Sequence, residues 1–234
     1  MTTVIVGAGR IGSSVIELAD SEEIDLTVIE REHKRANELE PNGNCRIIHD
    51  DATERDTLHK AQVGDADAII TTTEQDTTNL MVLMLARELG CETLVSVVHD
   101  EENIPLFRQL GATIIENPQR LIAEYLFRGT HDPGIQGFMH VGDREGGAEV
   151  FEISVAADAP IIGKTLEEAD VEGFLPPSMV VVAVERDGEI IIPRGNTRVE
   201  VDDLVTVFSK EGITNEVIEP FKPESERYRD AGEE

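Results

Sequence analysis

The segment Gly7-Ala8-Gly9-Arg10-Ile11-Gly12 constrains this chain more than any other, because of where it stands. A β-branched run, residues 3–6, precedes it directly, and an amphipathic stretch reaches to residue 19. The glycines therefore lie in the turn between a strand and a helix. In that setting each has its own task. Gly7 permits a tight turn, Gly9 lets backbone approach a pyrophosphate, and Gly12 lets helix and strand pack closely. The helix start then offers unpaired N–H groups and the positive end of its dipole to phosphate. Arg10, in the first turn, brings a guanidinium within reach of the same group. Further on, Glu30 ends a second apolar run, residues 26–29. A carboxylate there accepts both ribose hydroxyls of an adenosine and disfavours a 2′-phosphate, which predicts NAD rather than NADP.

The pattern continues in the same alternation. Strands are predicted at residues 46–48, 68–71, 94–98 and 113–115, with helical segments at 54–61, 76–89 and 101–110. Strands separated by helices imply parallel pairing covered on both faces, so the first half reads as an α/β domain, a Rossmann-like doubly wound parallel sheet. One more helix, residues 119–128, carries Leu121, Ile122, Tyr125 and Leu126 on one face. Two uses suit that face: packing on the chain's own sheet, or exchange with a second copy.

A Gly/Pro-rich stretch without periodicity, residues 129–137, reads as a linker, which bounds the first domain at residues 1–128. Residues 138–218 follow as a small α+β C-terminal domain, with strands at 149–155, 179–185, 189–192 and 204–208. Thr165 and Glu168 have the spacing of a capping box, and Asp187-Gly188 that of a hairpin turn. Residues 219–234 are charged with few apolar positions and read as a mobile acidic tail.

Charge removes whole classes of partner. The chain of 234 residues carries 48 acidic and 20 basic side chains, a formal net charge of −28. Such a surface repels a nucleic-acid backbone and anionic lipid alike. Disorder is disfavoured by the 40% hydrophobic content and its periodicity. Five of the basic residues are lysine (Lys34, Lys60, Lys164, Lys210, Lys222), the rest arginine. An acid-rich, lysine-poor surface suits concentrated salt, where a Debye length of roughly 3 Å at 1 M screens self-repulsion. A salt-loving cytoplasm is therefore expected.

The longest strongly apolar run, residues 179–184, is far too short for a membrane span, and no secretory signal precedes the first strand. A soluble chain kept inside the cell is expected, without direct membrane insertion. Cys45 and Cys91 have no CxxC spacing and read as small buried residues. Catalysis lacks support: neither Tyr125 nor Tyr228 has a lysine four residues on, and the six histidines show no HxxxH spacing. His49-Asp50-Asp51 and His99-Asp100-Glu101-Glu102 read as solvated loop ends rather than metal ligands. Ligand sensing is the favoured function, with an NAD-dependent oxidoreductase of a small metabolite as the alternative.

The residues also resemble a known family. Val4 to Gly12, Val28 to Glu30, Asp51-Ala52-Thr53, Ala66 to Ala68, Thr71 to Asn79 and Leu110 to Ala112 look like the regulator-of-K⁺-conductance fold. That fold is the N-terminal domain of TrkA-type subunits of potassium channels and transporters. Ile161 to Leu166, Val182 to Gly188, Ile192 to Gly195 and Asp203 to Val207 are similar to the same family's C-terminal domain. The resemblance implies a cytosolic gating subunit, peripheral to the membrane through a separate pore subunit, either a Trk-type transporter or a K⁺ channel. It also implies assembly as a homodimer or larger ring. The implied ligand is NAD or NADH, with ATP, ADP or AMP as alternatives. By the same resemblance Gly7, Ala8, Gly9, Arg10, Ile11 and Gly12 hold phosphate and Glu30 the ribose. Asp51 and Ala52 lie against adenine, and Thr73 and Glu74 line the rest of the cleft. Three residues depart from the family's pattern. Asp50 and Asp202 stand where glycine is usual, and His99 stands near a strand end that usually carries arginine.

Overall fold

The structure, a computed structural model, describes residues 1–22, 24–39, 45–132, 134–142 and 147–223, without the side chains of residues 114–116. The chain divides into two compact units, Met1–Leu121 and Ile122–Glu234.

In the first unit, β1 (Thr2–Val6), β2 (Asp25–Glu30), β3 (Cys45–His49), β4 (Ala68–Thr71), β5 (Thr93–Val98) and β6 (Thr113–Glu116) form one sheet. Its order is β3-β2-β1-β4-β5-β6, and every pairing is parallel. Between the strands run α1 (Arg10–Ser21), α2 (His33–Glu38), α3 (Arg55–Lys60), α4 (Asp76–Leu89) and α5 (Ile104–Gln109). Central strands of such a sheet are apolar on both faces because helices cover both. β1 shows this directly. Val4 and Val6 enter one buried cluster with Ile69, Leu83 and Phe107, while Ile5 enters another with Ala19, Leu26 and Val28. Chain order reverses direction between β1 and β4, and the crevice beyond the C-terminal ends of those two strands is where open α/β sheets bind ligands.

Helix α2 falls where no helix was expected. It has six residues, no side-chain cap, and Ala36 as its one buried residue, so no apolar period announced it.

Helix α6 (Pro118–His131) runs from the last residues of the first unit into the second. The second unit then adds β7 (Ile135–His140), β8 (Glu149–Ser154), α7 (Leu166–Val171), β9 (Met179–Arg186), β10 (Glu189–Ile191), β11 (Leu204–Ser209) and α8 (Asn215–Ile218). Its sheet is antiparallel, in the order β10-β9-β11-β8-β7. Phe151, Ile153, Val184, Val205, Val207 and Phe221 form its core. The capping box is present, with Thr165 and Glu168 each accepting the other's backbone N–H. At the hairpin Asp187 and Gly188 both have positive φ, as a two-residue turn of that kind requires.

Two expected boundaries differ from the structure. Residues 135–137, expected as the end of a linker, open β7, whose register on β8 shifts between Ile135 and Gly137. That bulge breaks the period-two alternation that would have marked a strand. Pro220 and Phe221, expected in a mobile tail, are buried; residues 224–234 of that tail lie outside the described residues. Among the described residues, no helix is long and apolar enough to cross a membrane.

Candidate nucleotide-binding site

The glycine loop is built as its sequence implies. Gly7 has φ +94°, a conformation that suits glycine, and its N–H donates to Ile29 O at 2.9 Å. Gly12 is buried, and a Cβ there would stand closer than 3.0 Å to the Gly7 carbonyl oxygen and 2.8 Å from Thr72 Oγ1. Thr72 holds the other side of this contact, its hydroxyl donating to Gly7 O at 2.9 Å. Gly9 differs: its φ is −70° and a Cβ would meet only Arg35 Nη1, at 4.0 Å. Glycine at position 9 is thus required neither by backbone conformation nor by packing. What it leaves is open space above the helix start.

That helix start has donors to spare. Ser13 N–H makes the first bond of α1, to Gly9 O at 2.8 Å. The N–H groups of Arg10, Ile11 and Gly12 take no partner among the described residues. They stand directly after the C-terminal end of β1, at the topological switch point, where an anion site is expected. Arg10 is exposed and Ile11 half-buried. Ala8 is buried in the α1 side of the core, so it offers the loop its backbone alone.

Glu30 is only 6% exposed, and the reason is a second task. Its Oε2 accepts the Ala8 N–H at 2.7 Å and its Oε1 accepts the Glu32 N–H at 2.7 Å. The carboxylate therefore clamps the glycine loop to the end of β2. Each oxygen keeps a second lone pair.

Around this centre the other expected residues divide. Asp51 Oδ1 accepts the Thr53 N–H at 2.9 Å and the Thr53 hydroxyl at 2.7 Å; the first of these bonds chiefly lowers the Asp51 pKa. Ala52 is 5% exposed and packs into the core with Leu58, so its side chain is not available to a ligand. Thr73 packs beside Gly7 and donates its hydroxyl to Asn79 Oδ1 at 2.6 Å. Glu74 is exposed. Asp50, at a position where the family resemblance implies glycine, does not have positive φ. Its carboxylate instead turns to Lys60 at 2.8 Å, and that bond lowers its pKa.

Two residues near the cleft gave no sequence signal. Arg35 on α2 reaches over Gly9 and pairs with Glu32 at 3.0 Å, putting a second guanidinium at the mouth of the loop. Asp76, at the start of α4, is buried and accepts the N–H groups of His99 and Asp100 at 2.9 Å and the Asn103 amide at 3.0 Å. Burial raises its pKa, but these three donors outweigh it and the net shift is downward. Among the described residues, no three His, Cys, Asp or Glu side chains are placed to hold a metal ion.

A glycine-loop α/β domain followed by a small antiparallel module defines a two-part class of protein with an open helix start at the switch point of its first sheet. Family models divide the chain in the same order: a TrkA-N domain matches residues 3–118 and a TrkA-C domain residues 150–222. The chain belongs to the TrkA family. The Trk system potassium uptake protein TrkA homolog of Pyrococcus abyssi is 29% identical over 224 residues, covering 93% of this chain and 96% of that protein. TrkA homolog 1 of Methanosarcina mazei is 29% identical over 221 residues, covering 93% of this chain but 48% of that protein. The chain thus spans almost all of one relative and about half of the other. Among solved structures, the GsuK channel bound to NAD has a TM-score of 0.65 at 21% identity, over 95% of this chain and 40% of that one. That likeness is one of fold.

Proposed function

We propose that this chain is a regulatory subunit of potassium transport that senses NAD or NADH, or else ATP, ADP or AMP, and passes its binding state to a separate membrane pore subunit. One observation carries the reading: three unpartnered N–H groups at a glycine-loop helix start, clamped open by Glu30, in a chain whose two domains are those of TrkA. Phosphate then sits on Arg10, Ile11 and Gly12 N–H, with Arg10 and Arg35 as flanking cations. The ribose takes the remaining lone pairs of Glu30. Asp51 and the Ala52 backbone lie towards adenine, and Thr73 and Glu74 towards the rest of the ligand. The NAD-bound GsuK channel, which shares the fold, supports the choice of ligand, as the relatives named potassium uptake proteins support the choice of transport system.

Gating follows as a population shift. A nucleotide that binds one arrangement of the assembled subunit more tightly moves the equilibrium towards it, and by reciprocity the pore's state changes nucleotide affinity. Assembly as a homodimer or ring gives such an equilibrium something to act on. Ile122, Leu126 and Phe127 on α6 are 60%, 70% and 63% exposed, an apolar stripe that suits burial against a second copy. Tyr125, from the same expected face, is 44% exposed, with its hydroxyl donating to Phe138 O at 2.7 Å. For the oxidoreductase alternative the chemistry is poor. His99, beside Thr73, has its ring nitrogens against Thr73 O and the Gln119 side-chain amide.

NADH titration by fluorescence tests the site. Gly9→Asp puts a carboxylate where the pyrophosphate approaches, and Glu30→Arg removes the ribose acceptor; each is expected to weaken binding at least about tenfold, or 1.4 kcal/mol. Equal affinity in both variants and the parent overturns the assignment. Copurification of the tagged chain from membranes identifies the pore partner.

The acidic surface supports a salt-loving cytoplasm as the setting. Dialysis from molar KCl into low salt is expected to lower the unfolding temperature or dissociate the oligomer, because 28 uncompensated charges are then unscreened. Full stability at low salt removes that reading.

A further inference from the structure

His99 links two segments that lie far apart in sequence. Its Nε2 stands 3.2 Å from the Thr73 carbonyl, to which it donates; that leaves Nδ1 an acceptor, 3.3 Å from the Gln119 side-chain amide, which bonds it only through its NH2. Thr73 is the residue whose methyl stands against Gly7, 3.2 Å from where a Cβ there would be. Gln119 is in the first turn of α6, the helix that leads from the first unit into the second. One imidazole thus spans from the wall of the nucleotide cleft to the start of the connecting helix.

The surroundings fix the partners of that ring on both sides. Asp76 fixes the His99 and Asp100 backbone through both carboxylate oxygens. Asn117 N–H donates to Val98 O at 2.5 Å, and Arg120 pairs with Glu101, so the start of α6 is fastened to the same loop. Thr73 is held by the buried Asn79, through its hydroxyl at 2.6 Å, its carbonyl at 3.0 Å and its N–H at 3.2 Å, so a shift of Thr73 is a shift of its carbonyl as well. Thr73 lines the cleft beside Gly7, on the side assigned above to the rest of the ligand. Displacement of the Thr73 carbonyl changes what His99 Nε2 can bond, and the ring's other nitrogen transmits the change to Gln119. An imidazole suits this because both nitrogens belong to one rigid ring, so a rotation that serves one partner disturbs the other.

We infer that His99 is the positioning residue that couples occupancy of the nucleotide cleft to the first turn of α6. The inference rests on the cleft being the nucleotide site, and the experiment separates the two. NADH is titrated into the full chain and into His99→Ala and Gln119→Ala, while amide hydrogen exchange is followed at residues 118–124. In the parent, NADH is expected to change exchange there. Each variant is expected to keep NADH affinity within about threefold yet lose that response, and the double variant to behave as either single one. Gln119 is exposed, so its removal does not threaten folding.

Retention of the full α6 response in both variants overturns the coupling role, as does a parent that binds NADH with no change at residues 118–124. Either result leaves the nucleotide site standing. A parent that binds none of NADH, NAD or ATP overturns the site and the coupling together.

Discussion

Gly12→Ala is expected to destabilise the first unit by at least about 3 kcal/mol, the upper part of the range for overpacking a close contact. The added methyl meets backbone, the Gly7 carbonyl, and the Thr72 hydroxyl that is itself bonded to that carbonyl. Neither is the free end of a flexible side chain, so α1 must move off β1 to admit it. Urea unfolding followed by far-ultraviolet circular dichroism measures the loss. Gly9→Ala is the matched control, since its methyl meets nothing nearer than Arg35 Nη1 at 4.0 Å. It is expected to fold with parental stability and to bind NADH more weakly, because the methyl occupies the approach path of the pyrophosphate. A stable Gly12→Ala protein would falsify the packing argument.

The second large effect is in the other unit. Asp203→Ala is expected to cost about 3 kcal/mol there, the lower end of the range for breaking a buried ion pair. Asp203 is fully buried and holds Arg186 in a two-pronged pair, at 2.7 Å to Nε and 2.9 Å to Nη2, while accepting the Glu200 N–H at 2.8 Å. This pair is also what raises the Arg186 pKa. Removal leaves a guanidinium that is 26% exposed and an orphaned N–H; the remaining bonds from Arg186 to Glu200 and to Arg198 O keep the cost from rising further. NADH affinity in the first unit is expected to stay unchanged. Parental urea stability in the variant would sink the claim. The neighbouring Asp202, where the family resemblance implies glycine, does occupy the left-handed region at φ +64°. The next residue, Asp203, is engaged by Arg186 and the Glu200 N–H.

Much of this architecture was legible because local and global signals agreed. The β1 run, the glycine turn and the start of α1 are contiguous in sequence, so one short window showed both the fold and the position of the site. Glu30 could be picked out by its spacing, but its clamp on the Ala8 N–H could not, because that bond joins residues 22 apart. Arg35 was illegible for a related reason: it matters through a helix too short and too polar to show a period. β7 escaped notice because its bulge replaced alternation with a shifted register, and the burial of Phe221 because a single aromatic in a charged stretch carries no pattern. The resemblance puts Ala52 against adenine, whereas its side chain packs in the core. Periodicity reports which face is buried; it says nothing of which polar atoms meet across loops.

The clamp at Glu30 has a consequence for the energetics of the proposed ligand. A glycine-rich loop left to itself samples many backbone conformations, and ordering it on a ligand would draw about 1 kcal/mol or more per residue from the binding free energy. Here an internal carboxylate has already set the loop's shape, so most of that ordering is charged to folding. More of the contact energy of the proposed nucleotide then remains as affinity, and its binding needs no prior ordering of the loop.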